Sequence, residues 1–401
     1  FEHPISQLPK CDGFFPVPLN PDLPSPIEHV ILVVKENKTF DCVFGDLKDM
    51  DVDVDPSLVR WGEEITPNQH ALAREFCLAD NFYAEVPNSD VGHVFLTAGH
   101  LTEFVEHFWK EDVQYGTNPA FPLSEITFPV YGNLFTHLLN HGVSTQVYGE
   151  IVGLAAQTQS GGDIFPYTDL SFPGGIAVNY SVTDTEKAEY VAEQIGEGKL
   201  AAFTYILLPN DHTNGTAPGT PSPESMVADN DYAVGILVDA LSQSPFWEKS
   251  LLIITQDDTQ GCDDHVDLFR SFAILVSPWV KRNHVTHVHT SFPSIMSPIT
   301  RILGVPPMGR ADATAMPFVD CFQVEPTLTP MPVTPRLYAP EMNPVDEPSP
   351  GAEQSSRMSW RSPDRNPGLG IILDSYRLWK MGQITRSEAV RRIEAGEVPE
   401  E

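Results

Sequence analysis

The chain has 401 residues, 41% hydrophobic and 20% charged, a globular composition that excludes wholesale disorder. Its formal net charge of −31 repels nucleic acid and anionic membranes, so neither is an expected partner. No apolar run reaches the roughly 18–20 residues of a transmembrane helix, and the length allows one large domain or two medium ones.

In chain order, the sequence starts at Phe1, and removal of an export signal is expected, placing the protein in a periplasm or outside the cell. The first apolar run, HVILVV (29–34), reads as a buried strand and is followed at once by Glu36 and Asn37. Lys35 and Lys38 beside them read as flanking charge, and Thr39, Phe40 and Asp41 as turn and cap for a following helix. Further on, PNSDVGH forms a polar elbow that puts Ser89 and His93 at the start of a predicted helix. A serine there sits where backbone N–H groups favour an anion such as phosphate. It can also be a simple cap, and Thr97 is a distant alternative nucleophile.

A helix is expected over 133–140, closed by Gly142, and then a strand over 144–149. DTEKAEYVAEQIGEG reads as a helix capped by Asp184. The strand at 201–208 runs into PNDHTNG, with Asp211 and His212 just past its end. A long amphipathic helix follows in SPESMVADNDYAVGILVDALSQS, and then a strand at 250–255 ends in Asp257 and Asp258, with His265 beyond. SFAILVS (271–277) is the last central strand, followed by the histidine cluster HVTHVHTS (284–291). Strand and helix alternate repeatedly, so the class is α/β with a mostly parallel sheet. After Cys321 the texture becomes proline-dense, extended over a surface, until a helical stretch at 369–395 with Leu378 and Trp379 as docking residues. Domain bounds of 1–322 for the body and 323–401 for the tail follow, the tail packing on the same domain or on a neighbour in a homo-oligomer.

The five cysteines (Cys11, Cys42, Cys77, Cys262, Cys321) show no CxxC spacing, which argues against a zinc knuckle or thioredoxin-like site. The odd number leaves at least one thiol unpaired, and the pairing stays open. Sequons stand at Asn37, Asn179 and Asn214. A glycan on Asn37 would obstruct the segment it sits in, which favours a bacterial source.

In an open α/β sheet, ligands bind beyond the carboxyl ends of the strands. An isolated Asp pair usually caps or turns. Three strand ends carrying Glu36–Asn37, Asp211–His212 and Asp257–Asp258, with His265 and the late histidines, point instead to a divalent metal. A cation would also relieve repulsion among the carboxylates and lower the pKa of a serine nucleophile.

The segments HVILVVKENKTFDCVFGD, LADNFYAEVPNSDVGH, HGVSTQVYGE, PNDHTNGTAPGTPSPESMVADNDYAVG, TQDDTQGCDDHVDLFRSFAILVSPWVKR and ILGVPPMGRADATAMPFVDCF occur in this order over residues 27–322. Together they resemble the phosphoesterase family of bacterial phospholipases C and acid phosphatases, within the alkaline phosphatase superfamily. The tail MSWRSPDRN resembles the ending of one subgroup. The resemblance implies an alkaline phosphatase-like fold and a phosphoric ester hydrolase. It implies Ser89 as a transiently phosphorylated nucleophile and Glu36, Asn37, Asp257 and Asp258 as main metal ligands. Asp211 and His212 with a late histidine, His289 or its neighbour His287, would form a second metal site. His93 and His265 would contact phosphoryl oxygens or support the ligands. The substrate expected is a small phosphomonoester or phosphodiester. Alternatives are a phospholipase C on zwitterionic lipid and an exported structural protein that keeps the fold. A sulfatase would need a Cys/Ser-x-Pro-x-Arg motif, which SDVGH is not.

Overall fold

The computed structural model describes residues 15–19, 23–86, 88–107, 129, 131–150, 167–176, 178–358 and 368–396. Cys11 and most of MSWRSPDRN lie outside the described residues.

Eight strands among the described residues form one sheet: β1 (His29–Lys35), β2 (Cys77–Tyr83), β3 (Thr145–Tyr148), β4 (Phe203–Leu207), β5 (Ser250–Gln256), β6 (Arg270–Val276), β7 (His284–Thr286) and β8 (Thr290–Ser291). Their order is β3-β4-β1-β5-β6-β2-β7, with β8 also on β2. β1 pairs in parallel with β4 and β5, and β3 pairs in parallel with β4. β6 runs antiparallel to both of its neighbours, β5 and β2. The class expected from the sequence, α/β with a mostly parallel central sheet, is the one observed. Every residue of β5 and β6 is buried, so both faces of the sheet are covered.

The helices are α1 (Phe40–Phe44), α2 (Pro67–Glu75), α3 (Ser89–Ala98), α4 (Leu134–Asn140), α5 (Asp184–Gly196), α6 (Pro223–Ser242), α7 (Phe292–Ile302), α8 (Arg310–Thr314), α9 (Ala352–Arg357), α10 (Leu369–Lys380) and α11 (Arg386–Gly396). Thr39 caps α1 by accepting from Cys42 N, and Asn133 caps α4 in a reciprocal capping box with Thr136. The cap of α5 is Thr183, not Asp184 as expected. Asp184 turns inward instead, where it binds Lys187 Nζ at 2.8 Å and accepts from Asn210 N.

The polar residues of α6 do unexpected work, because two of its carboxylates cap other helices. Asp229 accepts from the amide of Asp184 at the start of α5. Asp231 accepts from the amides of Asn68 and Gln69 in α2, whose own cap residue, Thr66, makes no capping bond. Both carboxylates thus satisfy orphan helix donors and face the positive ends of helix dipoles.

β2 is a strand that the sequence reading lacks. Its interior Asp80 and Asn81 break the apolar pattern, and they sit at a bulge against β6 between Ala79 and Phe82. The histidine cluster 284–291 forms the short strands β7 and β8 beside β2.

Two disulfides cross the sequence, Cys42–Cys262 and Cys77–Cys321. The first ties α1, just after β1, to the loop that follows β5. The second ties β2 to the last turn of the body. The α10–α11 pair packs on the body through a buried ion pair between Arg377 and Glu224 of α6 (2.8 Å), with Tyr376 donating to the same carboxylate. Tyr376 and Arg377, next to the expected Leu378, are thus the anchoring polar groups.

Because Cys42–Cys262 closes a separation of 220 residues, its loss widens the unfolded ensemble substantially. The Cys42→Ala/Cys262→Ala double variant should lose about 2–5 kcal/mol in chemical denaturation. An unchanged midpoint would show that the bond contributes nothing.

Candidate active site

The carboxyl ends of four adjacent parallel strands meet at one place. β3 delivers Glu150, β4 Asp211, β1 Glu36 and Asn37, and β5 Asp257 and Asp258. The register sets this alignment: Lys35 pairs with Gln256, and Asp257 N donates to Lys35 O. All six side chains are buried.

Backbone turns then aim the side chains. Asn37 sits in the left-handed region (φ 64°), which asparagine tolerates better than most residues. Its amide N donates to Asp257 Oδ1 at 3.2 Å, and Asp258 N donates to the same oxygen at 2.9 Å. Gln260 N closes the loop on Asp258 Oδ1 at 2.6 Å. The nucleophile candidate enters from α3. Ser89 Oγ donates to Asp258 Oδ2 at 2.7 Å, with Asn37 Oδ1 as a second acceptor at 3.2 Å.

The approach of α3 depends on Gly92. A Cβ there would lie 2.3 Å from Asp257 O, a backbone atom that cannot swing away. One turn after Ser89, this glycine therefore lets the helix rest directly on the ligand loop.

His93, on the same helix, is fixed by Glu150, whose Oε2 lies 2.7 Å from Nδ1. Tyr205 donates to that oxygen as well, at 2.7 Å. The other ring nitrogen, Nε2, makes no hydrogen bond among the described residues. It stands 3.5 Å from Asp257 Oδ2 and 3.8 Å from Glu36 Oε1. Burial works against a charged ring here, but Glu150, with Glu36 and Asp257, holds its pKa well above the usual imidazole value. Glu36 is held in turn by the Tyr180 hydroxyl at 2.6 Å.

Glu36, His93 and Asp257 each offer a buried ligand atom close enough to share one metal ion. The chemistry of the donor set fits a hard or borderline divalent cation: carboxylate oxygens, an amide, a hydroxyl and one imidazole. Electrostatics point the same way. Five buried carboxyls, Glu36, Glu150, Asp211, Asp257 and Asp258, face only three buried basic groups, Lys35, Lys38 and His93. A group so anionic is costly to bury without further positive charge.

The two lysines correct the sequence reading, which took them for flanking charge. Lys35 Nζ lies 3.0 Å from Asp211 Oδ2 and donates to Gln69 Oε1 at 2.8 Å. Lys38 Nζ donates to the carbonyls of Glu36 and Asn37. Burial lowers the Lys38 pKa, against the pull of Asp211, Asp258 and Asp257.

The other expected site residues are distributed differently. Asp211 belongs to the group, but its oxygens already accept from Glu36 N and Gln256 Nε2 and pair with Lys35. His212 is beside it, with Nδ1 3.1 Å from Thr213 O, and lines a cavity together with Asn37. His289 stacks on Tyr83, with ring centroids 4.9 Å apart, and His287 binds Asp80 at 2.9 Å. Neither joins the hydrogen-bonded group around Ser89, because both sit between the edge strands β7 and β8. His265 forms a separate cluster: Nδ1 lies 2.5 Å from Asp41 Oδ2 and Nε2 3.1 Å from Asp53 Oδ1. The Asp41 bond raises its pKa. Thr97 donates to His93 O within α3, as helical threonines do.

Glu150 and Tyr180 were missed. Glu150 follows β3 just as Asp211 follows β4, so the strand-end rule applied to a fourth strand would have found it. Tyr180 carries no signal in its sequence neighbourhood.

Residues 53–306 match the sequence model of the Phosphoesterase family. That range includes Ser89, Asp211, Asp257 and Asp258 and begins after Glu36 and Asn37. A comparison with curated protein sequences finds no match. Among solved structures, the chain is similar to an alkaline phosphatase superfamily protein from Vibrio parahaemolyticus, at 16% identity and TM-score 0.47, covering 88% of each chain. It is similar to a sulfatase from Pseudoalteromonas sp. at 15% identity and TM-score 0.46, covering 71% of this chain and 69% of that one. A phosphonate monoester hydrolase from Silicibacter pomeroyi gives 13% identity and TM-score 0.44, covering 70% and 74%.

Gly92→Ala should cost about 1–3 kcal/mol in chemical denaturation, because the new methyl meets fixed backbone. Gly196→Ala, where nothing lies within 4 Å, is the control and should be neutral or stabilising. Equal effects of the two would contradict the close approach of α3.

Proposed function

The chain belongs to the Phosphoesterase family, and on that premise we propose that it hydrolyses phosphate esters through a phosphoserine formed on Ser89. The observation that carries this reading is the short bond from Ser89 Oγ to Asp258 Oδ2, at the start of α3 and beside the Glu36–His93–Asp257 group.

Glu36, His93 and Asp257, with Asn37 beside them, would hold a divalent cation, whose charge lowers the pKa of a nearby hydroxyl and neutralises phosphoryl oxygens. The remaining work falls to the side chains. Ser89 Oγ bonds to phosphorus while the ester P–O bond breaks, and the serine proton passes to Asp258 Oδ2. The alcohol leaves as it takes a proton from solvent. Water then cleaves the phosphoserine while Asp258 returns its proton to Ser89 Oγ, releasing phosphate from a monoester or a phosphomonoester from a diester. The N–H groups at the start of α3 face the phosphoryl oxygens and favour their charge. Glu150 holds His93 in place, so that Nε2 stays aimed at Glu36 and Asp257.

The substrate class proposed is a small phosphomonoester or phosphodiester. Two disulfides support a protein of an oxidising compartment, and no helix of the described residues is long and apolar enough to cross a membrane.

Ser89→Ala should lower kcat on a chromogenic phosphate ester on the order of 10³-fold or more. Acid quenching of the parent protein during turnover of a labelled phosphomonoester should leave the label on the peptide containing Ser89. Full activity in the variant, or label on another peptide, would contradict the mechanism.

A further inference from the structure

A cavity of about 390 Å³ is lined by Asn37, one residue of the group around Ser89, and by residues of the C-terminal helices. Asn37 accepts from Ser89 Oγ, and His212 and Gln260 line the cavity with it. Leu58 and Trp61 form one side. Leu369, Ile371 and Leu373 of α10 line the cavity as well. Arg60 and Arg392 also line it, but both are tied to Asp374 of α10, at 2.6 and 3.2 Å. Leu58, Trp61, Leu369, Ile371 and Leu373 thus give the cavity an apolar part, beside polar lining that includes Lys38 and Asp263.

α10 is held in this position closely. A Cβ on Gly370 would come within 2.6 Å of the Gly261 Cα, in the loop that carries Asp257 and Asp258. Two turns further along, the buried Arg377–Glu224 pair anchors the helix to α6. Two glycines thus let the C-terminal helix touch the ligand loop itself.

We propose that the C-terminal helix pair is a specificity element. It walls the pocket for the alcohol portion of the ester and selects compact, largely apolar alcohols over long-chain ones. A cavity of this size holds a small organic group and is too small for a pair of long acyl chains. The inference rests on the phosphoesterase reading and deepens it: Asn37 touches the nucleophile, so the group bound next to Asn37 is the one leaving or retained at phosphorus.

The test is the ratio of kcat/KM for 1-naphthyl phosphate to that for methyl phosphate, measured on the full chain. In the parent protein the ratio should favour the naphthyl ester, and a dioleoyl phosphatidylcholine vesicle should be a poor substrate. Ile371→Trp fills the cavity from α10 and Leu58→Trp from the body; each should lower the ratio roughly tenfold or more. Ile371→Ala opens the wall and should move the ratio the other way or admit longer chains, which keeps the test available if a tryptophan variant misfolds. Turnover that persists with the ratio unchanged in all three variants would overturn this inference alone. Faster hydrolysis of the vesicle lipid than of the naphthyl ester by the parent protein would also overturn it. Absence of any Ser89-dependent turnover of either ester would overturn the phosphoesterase reading, and this inference with it.

Discussion

Mutual repulsion of buried carboxylates is the constraint from which the rest of this architecture follows. Four neighbouring strand ends bring Glu150, Asp211, Glu36, Asp257 and Asp258 into one buried volume. In a medium less polar than water each pair costs several times what it would at the surface. The fold answers with Lys35 against Asp211, with backbone N–H groups directed at Asp257 and Asp258, and with hydroxyls from Tyr180 and Tyr205. Beside them Glu36, His93 and Asp257 converge, with ligand atoms close enough to share one divalent cation.

The scaffold serves that convergence by fixing loops that would otherwise drift. Cys42–Cys262 joins the segments on either side of the Asn37–Gln260 contact. His265 binds Asp41 across the same two segments, so a role in holding the loop explains its position better than contact with substrate. Further out, Asp229 and Asp231 cap α5 and α2 from the side, and Gln69 of α2 reaches Lys35. The chain of contacts runs from α6 through α2 and Lys35 to Asp211, and from Asp211 to the amide of Glu36.

Much of the site was legible because strand ends are legible. An apolar run that stops at Glu36–Asn37 or Asp257–Asp258 marks a position on the sheet's carboxyl edge without any knowledge of strand order. Ser89 was legible as the start of a helix. Hidden features had their cause elsewhere in the chain. Lys35 and Lys38 look like surface charges until Asp211 and the Glu36 and Asn37 carbonyls are placed beside them. Asp184 resembles a cap, but Thr183 already accepts from the amide of Glu186, and Asp184 turns inward to Lys187. β2 was obscured by Asp80 and Asn81, whose bulge has meaning only against β6. The reversed direction of β6 is likewise a fact of pairing, not of local pattern. The late histidines read as ligands by composition, yet Asp80 and Tyr83 hold two of them at the sheet edge.

The most direct test of the central claim is the divalent metal content of the purified protein and of its Asp257→Asn variant, by elemental analysis after dialysis against metal-free buffer. The account predicts about one tightly held equivalent per chain in the parent and substantial loss in the variant, with circular dichroism unchanged. A parent protein that carries no metal and takes up none when offered zinc, calcium, magnesium or manganese would contradict it.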